Sequence, residues 1–158
     1  MESIAFEGSI VSGVGRHVEL QVPGRENLPH APKDWPTVLC KGSLNVRIQQ
    51  DGYPDLFEQI GLPKTTKSLD KKPIKCSFEI GQSEFGNNQL VPNDAMPHKG
   101  AAQVWRAILT TTETGIACWV LRRYGSGLGD QIEIVSAAHL RSEYHLTDGQ
   151  EVQVCLYT

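Results

Sequence analysis

Short apolar segments with a period of two are the feature that most constrains what this chain can fold into. Side chains along a β-strand point to opposite faces in turn, so such a segment buries one face and exposes the other. Apolar residues share one parity in five segments, and each segment predicts a half-buried strand: Ile4, Phe6 and Ile10; Val18, Leu20 and Val22; Leu44, Val46 and Ile48; Ile74, Cys76, Phe78 and Ile80; and Val152, Val154 and Leu156.

Two further segments, 104–109 and 116–121, are apolar on both faces and predict central strands joined through a turn at 112–115. Helix signals are few. Residues 51–61, with Pro54 in the first turn and Gly61 at the end, predict one helix, and residues 137–144 predict a short helix or a turn. Proline, glycine or charge is frequent in 23–36, 63–73 and 81–100, which predicts loops. The pattern therefore predicts a mainly β domain, a barrel, with one or two short helices.

Length and charge narrow the classes of partner. The chain has 158 residues, which suits a single domain over residues 1–158, and its formal net charge is -3. Because nucleic-acid binding needs a concentrated basic surface, we expect no nucleic-acid partner. No apolar run approaches the roughly 18 residues of a membrane span, and the first residues lack the features of a signal peptide. We therefore expect no membrane partner and a cytoplasmic location, while the oligomeric state stays open.

The four cysteines show no metal or redox spacing. They lie far apart, so no C-x-x-C motif is present, and each lies in an apolar, strand-like stretch: Cys40, Cys76, Cys118 and Cys155. Free cysteine is among the residues most often buried. The pattern predicts four buried, reduced thiols.

Ser43 and Asn45 lie two positions apart on a predicted strand, so their side chains share a face. Two neutral oxygen donors about 6–7 Å apart along a strand can reach one ion. Mg²⁺ usually needs a carboxylate or substrate phosphates as well, so a nucleotide would have to supply the negative charge. The alternative interpretation is an ordinary polar strand face.

Two glycine-rich segments could approach an anion. Gly13, Val14 and Gly15 lie between two predicted strands, where successive backbone N–H groups can form an anion-binding nest. A hairpin turn is the alternative. The second segment, 125–129, lacks the helix that must follow a dinucleotide fingerprint. No G-K-[ST] signature is present, which excludes a P-loop.

Glu133 lies between Ile132 and Ile134, which point to the core, so its carboxylate points to the other face of the sheet. There it could accept a hydrogen bond from a ligand hydroxyl or amide. The alternative is a plain surface glutamate, which is the more common case.

Three segments, taken in order, resemble a known family. They are 8–15, with Gly13 and Gly15; 41–47, with Gly42-Ser43-Leu44-Asn45; and 132–152, with Ile132-Glu133-Ile134, Leu140-Arg141 and a Leu-x-Asp-Gly turn before the last strand. In this order they are similar to the archaeal CTP-dependent riboflavin kinases, a family of cradle-loop β-barrels. The resemblance covers roughly residues 6–157, with an expanded loop region at about 61–103.

The resemblance implies a single closed β-barrel of six or a similar number of strands. It also implies transfer of the γ-phosphoryl group of CTP, with Mg²⁺, to a small-molecule hydroxyl. Ser43 and Asn45 match the family's Mg²⁺ ligands, and Glu133 matches a residue on the flavin side, which would orient the acceptor or act as base. Tyr124 and Ser126 occupy the region of a further substrate contact. The residues that match nucleotide contacts are Gly13, Val14, Gly15, Arg16, His17, Ala138, His139, Leu140 and Arg141.

The chain departs from the family pattern at several positions. The family's loop reads Gly-x-Gly-Glu-Gly, whereas Arg16 and His17 follow Gly15 here, and Ser43 replaces a threonine. These departures bear on the nucleotide. The family's flavin-contacting threonine before the glutamate strand has no clear match, because residues 124–126 occupy that region, and this departure bears on the acceptor. Two hypotheses follow: a nucleotide-dependent phosphotransferase, or a barrel that binds a nucleotide or another small ligand without catalysis. A DNA-binding relative of such barrels is disfavoured by the acidic charge balance and by the absence of a helix-turn-helix pattern.

Overall fold

A computed structural model describes residues 2–12, 22–49, 74–85, 94, 98–112, 114–124 and 131–158. The predicted helix at 51–61, the strand residues Val18 and Leu20 and the lysine-rich loop at 63–73 lie outside these residues. The described strands are β1 (Ser3–Val11), β2 (Leu44–Ile48), β3 (Phe78–Ile80), β4 (Ala102–Thr110), β5 (Gly115–Arg123), β6 (Gln131–Val135) and β7 (Glu151–Tyr157). One α-helix, α1 (Leu140–Glu143), and 3₁₀ turns at Arg25–Asn27 and Gln82–Glu84 complete the described elements.

The seven strands form one antiparallel sheet in the order β3-β4-β5-β6-β2-β1-β7. Strand β7 also pairs with β4, so six of the strands close a ring of hydrogen bonds, and β3 extends the sheet beside the first residues of β4. The prediction of a mainly β fold with little helix is confirmed. In the described part of the chain, no helix is long and apolar enough to cross a membrane.

The two segments that are apolar on both faces form the longest hairpin. Strands β4 and β5 pair from Ala102–Arg123 to Thr110–Gly115, and the Thr111 N–H donates to the Thr114 carbonyl oxygen at 2.9 Å to close the turn. This prediction is confirmed. Both faces are apolar because each covers a separate cluster: Trp105 and Val120 point to the cluster inside the ring, whereas Trp119 points to an outer one.

Residues 22–39, which we call the outer strap, cover the outer face of this hairpin. Trp35 is 1% exposed, and its ring centroid lies 4.9 Å from that of Phe78 and 5.0 Å from that of Trp119. Its Nε1 donates to the Pro23 carbonyl oxygen at 3.0 Å, and Asp34 forms a bidentate ion pair with Arg106. The predicted loop at 23–36 therefore lacks strands but contributes a packed layer.

Helix α1 begins at Leu140, shortly after β6 ends at Val135. His139 Nδ1 accepts a hydrogen bond from the Ser142 N–H at 3.3 Å, which caps the first turn. Leu140 packs into the cluster inside the ring. The prediction of a short helix or turn at 137–144 is thus confirmed as one helical turn.

The four cysteines are free thiols. Only Cys118 is buried, and burial raises the pKa of its thiol to about 12. The other three, Cys40, Cys76 and Cys155, are half-buried, so the prediction of buried, reduced thiols is confirmed in full only for Cys118 and is wrong about burial for these three.

Candidate functional site

Three strand ends meet at one edge of the ring. Strand β1 ends where β2 begins, with Val11 opposite Asn45, and Leu44, the first residue of β2, lies opposite Ile134 near the end of β6. Asn45 lies opposite Glu133, the middle residue of β6. Residues directly opposite each other in an antiparallel pair share a face of the sheet. The topology therefore brings segments that are far apart in the sequence to one place, and α1 lies beside them.

A small pocket, here called the edge pocket, opens at this edge. Its volume of about 60 Å³ is enough for a few water molecules or for one group of phosphate size. It is lined by Cys40, Lys41, Gly42, Ser43, Leu44, Ile134, Ser136, Ala138, His139, Leu140 and Arg141.

The edge pocket joins two of the predicted sets of site residues. Ser43, a predicted Mg²⁺ ligand, lines it together with the predicted nucleotide contacts Ala138, His139, Leu140 and Arg141. Asn45, Tyr124 and Glu133 do not line it. The predicted site residues Gly13, Val14, Gly15, Arg16, His17 and Ser126 lie outside the described residues.

Backbone contacts hold the walls of the pocket together. The Cys40 N–H donates to the Ser136 carbonyl oxygen at 2.8 Å, and the Ala138 N–H donates to Ser136 Oγ at 3.2 Å. Gly42 has φ of 85°, a left-handed conformation that glycine adopts without strain, and it turns the chain into β2. The segment before β2 is thereby fixed against the segment after β6.

An ion-pair network joins the pocket to the end of β1. Arg141 Nη2 donates to Asp148 Oδ1 at 2.6 Å and to the Val11 carbonyl oxygen at 3.2 Å, while Ser12 Oγ donates to Asp148 Oδ2. The Ser12 hydroxyl and the Arg141 guanidinium lower the pKa of Asp148. Ser12, the described residue directly before Gly13, is thereby tied to the same edge as Arg141.

Sequence reasoning took Asp148 for a turn residue only. Its position depends on the docking of the turn onto β1, where the Gly149 N–H donates to the Ile10 carbonyl oxygen at 2.7 Å. The opposite charges of Arg141, on the short helix, and Asp148, in the turn that follows it, were the available signal. Nothing in the sequence alone brings those charges into contact.

The two predicted Mg²⁺ ligands differ in their surroundings. Ser43 lines the edge pocket just before β2, and Asn45 is half-buried as the second residue of that strand. The carboxylate of Glu133 lies on the strand position opposite Asn45. The Ser43 hydroxyl and the Asn45 amide oxygen are of the donor types that Mg²⁺ accepts, but only Ser43 lines the edge pocket.

Glu133 is buried, not exposed at the surface. It is 1% exposed and lies opposite Leu121, a member of the outer cluster. Burial raises the pKa of Glu133 to about 7, although the guanidinium groups of Arg123 and Arg122 act to lower it. The alternative of a plain surface glutamate is wrong, because the outer face of the sheet is covered here.

Tyr124 lies beyond the end of β5, near the start of β6 and away from the edge pocket. It is 1% exposed, and its hydroxyl donates to Glu79 Oε1 at 3.5 Å. The described structure thus leaves Tyr124 and the edge pocket apart. A larger groove of about 650 Å³ lies between the outer strap and the second 3₁₀ turn, and none of the predicted site residues lines it.

Comparisons with known proteins add no name to this site. No protein-family model matches the chain, and no curated protein matches it.

Proposed function

We propose that this chain binds a nucleotide through its phosphates at the edge pocket and transfers the terminal phosphoryl group to a small-molecule hydroxyl. In this proposal it is a divergent relative of the CTP-dependent riboflavin kinases, and its ring of six strands is their closed barrel. CTP is the proposed donor, and Mg²⁺ is the proposed metal. The acceptor is a small alcohol, and the altered residues around Tyr124 disfavour riboflavin itself.

One observation carries the proposal. Ser43 and the stretch from Ala138 to Arg141 were assigned to metal and nucleotide on separate segments, and they line one pocket of phosphate size. Ser12, the residue before the glycine-rich segment, is tied to the same edge through Asp148. A phosphate site built from distant segments accounts for all three.

The chemistry rests on positioning and on charge. Phosphoryl transfer needs the attacking and leaving oxygens roughly in line and the phosphate charge neutralised. Arg141 would contribute positive charge, and Ser43 and Asn45 would hold Mg²⁺ together with the nucleotide phosphates. Bound Mg²⁺ would neutralise part of the phosphate charge. The acceptor oxygen would bond to the γ-phosphorus as the bond from that phosphorus to the leaving nucleoside diphosphate, CDP, breaks.

A base must take the proton of the acceptor hydroxyl. Glu133 is the candidate, because a pKa of about 7 suits a general base at neutral pH. Its burial requires the acceptor to reach it from the covered face. The same burial favours the second candidate function, a barrel that binds a nucleotide or another small ligand without transferring phosphate.

Nucleotide binding with and without Mg²⁺ tests the proposal. We expect CTP to stabilise the protein against thermal unfolding, and more strongly with Mg²⁺, because a ligand that binds only the folded state raises its stability. Asn45→Ala should remove the Mg²⁺ dependence and leave the fold intact, since this side chain points away from the core. Leu44→Ala, on the opposite face, should instead cost about 2–5 kcal/mol of stability.

The outcomes separate the alternatives. Phosphorus NMR of a mixture of CTP, Mg²⁺ and candidate alcohols distinguishes turnover from binding alone. Unchanged Mg²⁺ dependence in Asn45→Ala would show that Ser43 and Asn45 are only a polar strand face. If no nucleotide shifts the melting temperature, the proposal fails.

A further inference from the structure

We infer that Asp148 is a positioning residue for anion binding: it holds the Arg141 guanidinium at the edge pocket and ties it to Ser12 at the end of β1. The inference rests on the proposed function, because it concerns the phosphate site of that function. It assigns a role to a turn residue that sequence reasoning left without chemistry. Asp148 itself does not line the edge pocket and acts on it through Arg141.

The contacts of Arg141 show which of its donors Asp148 occupies. Nη2 donates to both Asp148 Oδ1, at 2.6 Å, and the Val11 carbonyl oxygen, at 3.2 Å. A guanidinium has five N–H donors, and these contacts use the two on Nη2. In the part of the chain that the structure describes, Nε and Nη1 have no hydrogen-bond partner. Within the described residues, Arg141 is thus anchored through Nη2, which leaves the N–H groups of Nε and Nη1 for an anion in the pocket that it lines.

The second oxygen of Asp148 holds the end of β1. Ser12 Oγ donates to Asp148 Oδ2, and Ser12 directly precedes Gly13. The turn that carries Asp148 is itself fixed to β1, because the Ile10 N–H donates to the Gln150 carbonyl oxygen at 2.9 Å and the Gly149 N–H donates back to Ile10. One carboxylate on a backbone-anchored turn therefore links the arginine to the end of β1.

Charge and positioning make opposite predictions for the loss of Asp148. A negative charge beside the pocket opposes anion binding, so its removal alone should tighten binding. Removal of the anchor frees a long arginine side chain, which must then lose rotamer freedom when the anion binds. Weaker binding after the loss of a negative charge is therefore a signature that positioning gives and charge alone does not.

Titration calorimetry of the full chain with CTP and Mg²⁺ tests the inference. We expect Asp148→Ala to weaken binding roughly tenfold, the effect of ordering one long side chain. Asp148→Asn keeps an oxygen acceptor for Nη2 and should stay within about threefold of wild type. Asp34→Ala is the matched control, because it removes a carboxylate–arginine pair of the same chemistry on the outer strap. The affinity of the Asp34→Ala variant for CTP should equal that of the wild type.

A second variant covers the case in which Asp148→Ala does not fold. Asp148→Glu keeps the charge and moves the carboxylate by one methylene, so positioning predicts binding weaker by several-fold and charge alone predicts no change. If the wild type binds CTP, the inference alone is overturned when Asp148→Ala binds as tightly as the wild type or more tightly. It is also overturned when Asp148→Glu binds as tightly as the wild type. Absence of wild-type binding would overturn the proposed function together with it.

Discussion

Burial controls the protonation of Glu133, and this makes stability depend on pH. Its pKa is raised from 4.5 to about 7, chiefly by desolvation. The folded state therefore keeps the proton to higher pH than the unfolded chain does. Stability that is fully present below pH 4.5 is lost as the pH rises through about 7. The difference between the two pKa values corresponds to about 3 kcal/mol of unfolding free energy.

Glu133→Gln should remove this pH dependence, because the amide is neutral throughout. Urea denaturation of both proteins at pH 5 and pH 8 measures the difference. The wild type should lose stability between these pH values, and the variant should lose far less. Asp34 and Asp148 do not interfere, because arginine contacts and hydrogen bonds lower their pKa below the usual value of 3.8. An equal change in unfolding free energy between pH 5 and pH 8 in the two proteins would show that the pKa of Glu133 is not raised.

The strand face on which Glu133 lies was predictable from the sequence, but its environment was not. Alternation with Ile132 and Ile134 places the carboxylate on the face away from the ring interior, as predicted. Its burial depends on an outer cluster to which the outer strap contributes Leu28 and Trp35. That segment has the composition of a loop, so no local pattern predicts that it packs on the sheet.

Among the elements, the outer strap contributes packing without regular structure. Trp35→Ala should cost roughly 3–5 kcal/mol, because it removes a buried aromatic side chain with two aromatic neighbours. Val38→Ala is the control on the same segment, since Val38 is 72% exposed, and it should change stability by less than about 0.5 kcal/mol. Chemical denaturation compares the two. Similar stability in both variants would mean that the outer strap is a loosely attached loop.

Strand prediction succeeded where one face of the segment is buried in the ring. The period of two correctly predicts β1, β2 and β7, and the segments that are apolar on both faces correctly predict β4 and β5. The segment from Ile74 to Ile80 is a strand only from Phe78. Before it, the Ile74 carbonyl oxygen accepts from Trp105 Nε1, and Ser77 Oγ accepts from the Arg106 N–H. These irregular contacts with β4 replace a regular ladder.

At the scale of the whole molecule, the candidate site is a consequence of pairing between strands that are far apart in the sequence. Pairing of β1 with β2 and of β2 with β6 brings Ser12, Ser43 and Arg141 to one edge. Separate motifs of the sequence point to Ser43 and Arg141. Their proximity depends on long-range strand pairing, which no local pattern contains. For the same reason, the contact of Arg141 with Asp148 could not be predicted.

The most direct test of the edge pocket as a phosphate site is an amide NMR titration of the full chain with CTP and Mg²⁺. We expect the largest shift changes at Gly42, Ser43 and the residues from Ala138 to Arg141, with smaller changes at Asp148. Shift changes confined to the groove beside the outer strap, at Asn27, Thr37 and Val38, would contradict the account. Saturating nucleotide without any change at Ser43 or Arg141 would contradict it equally.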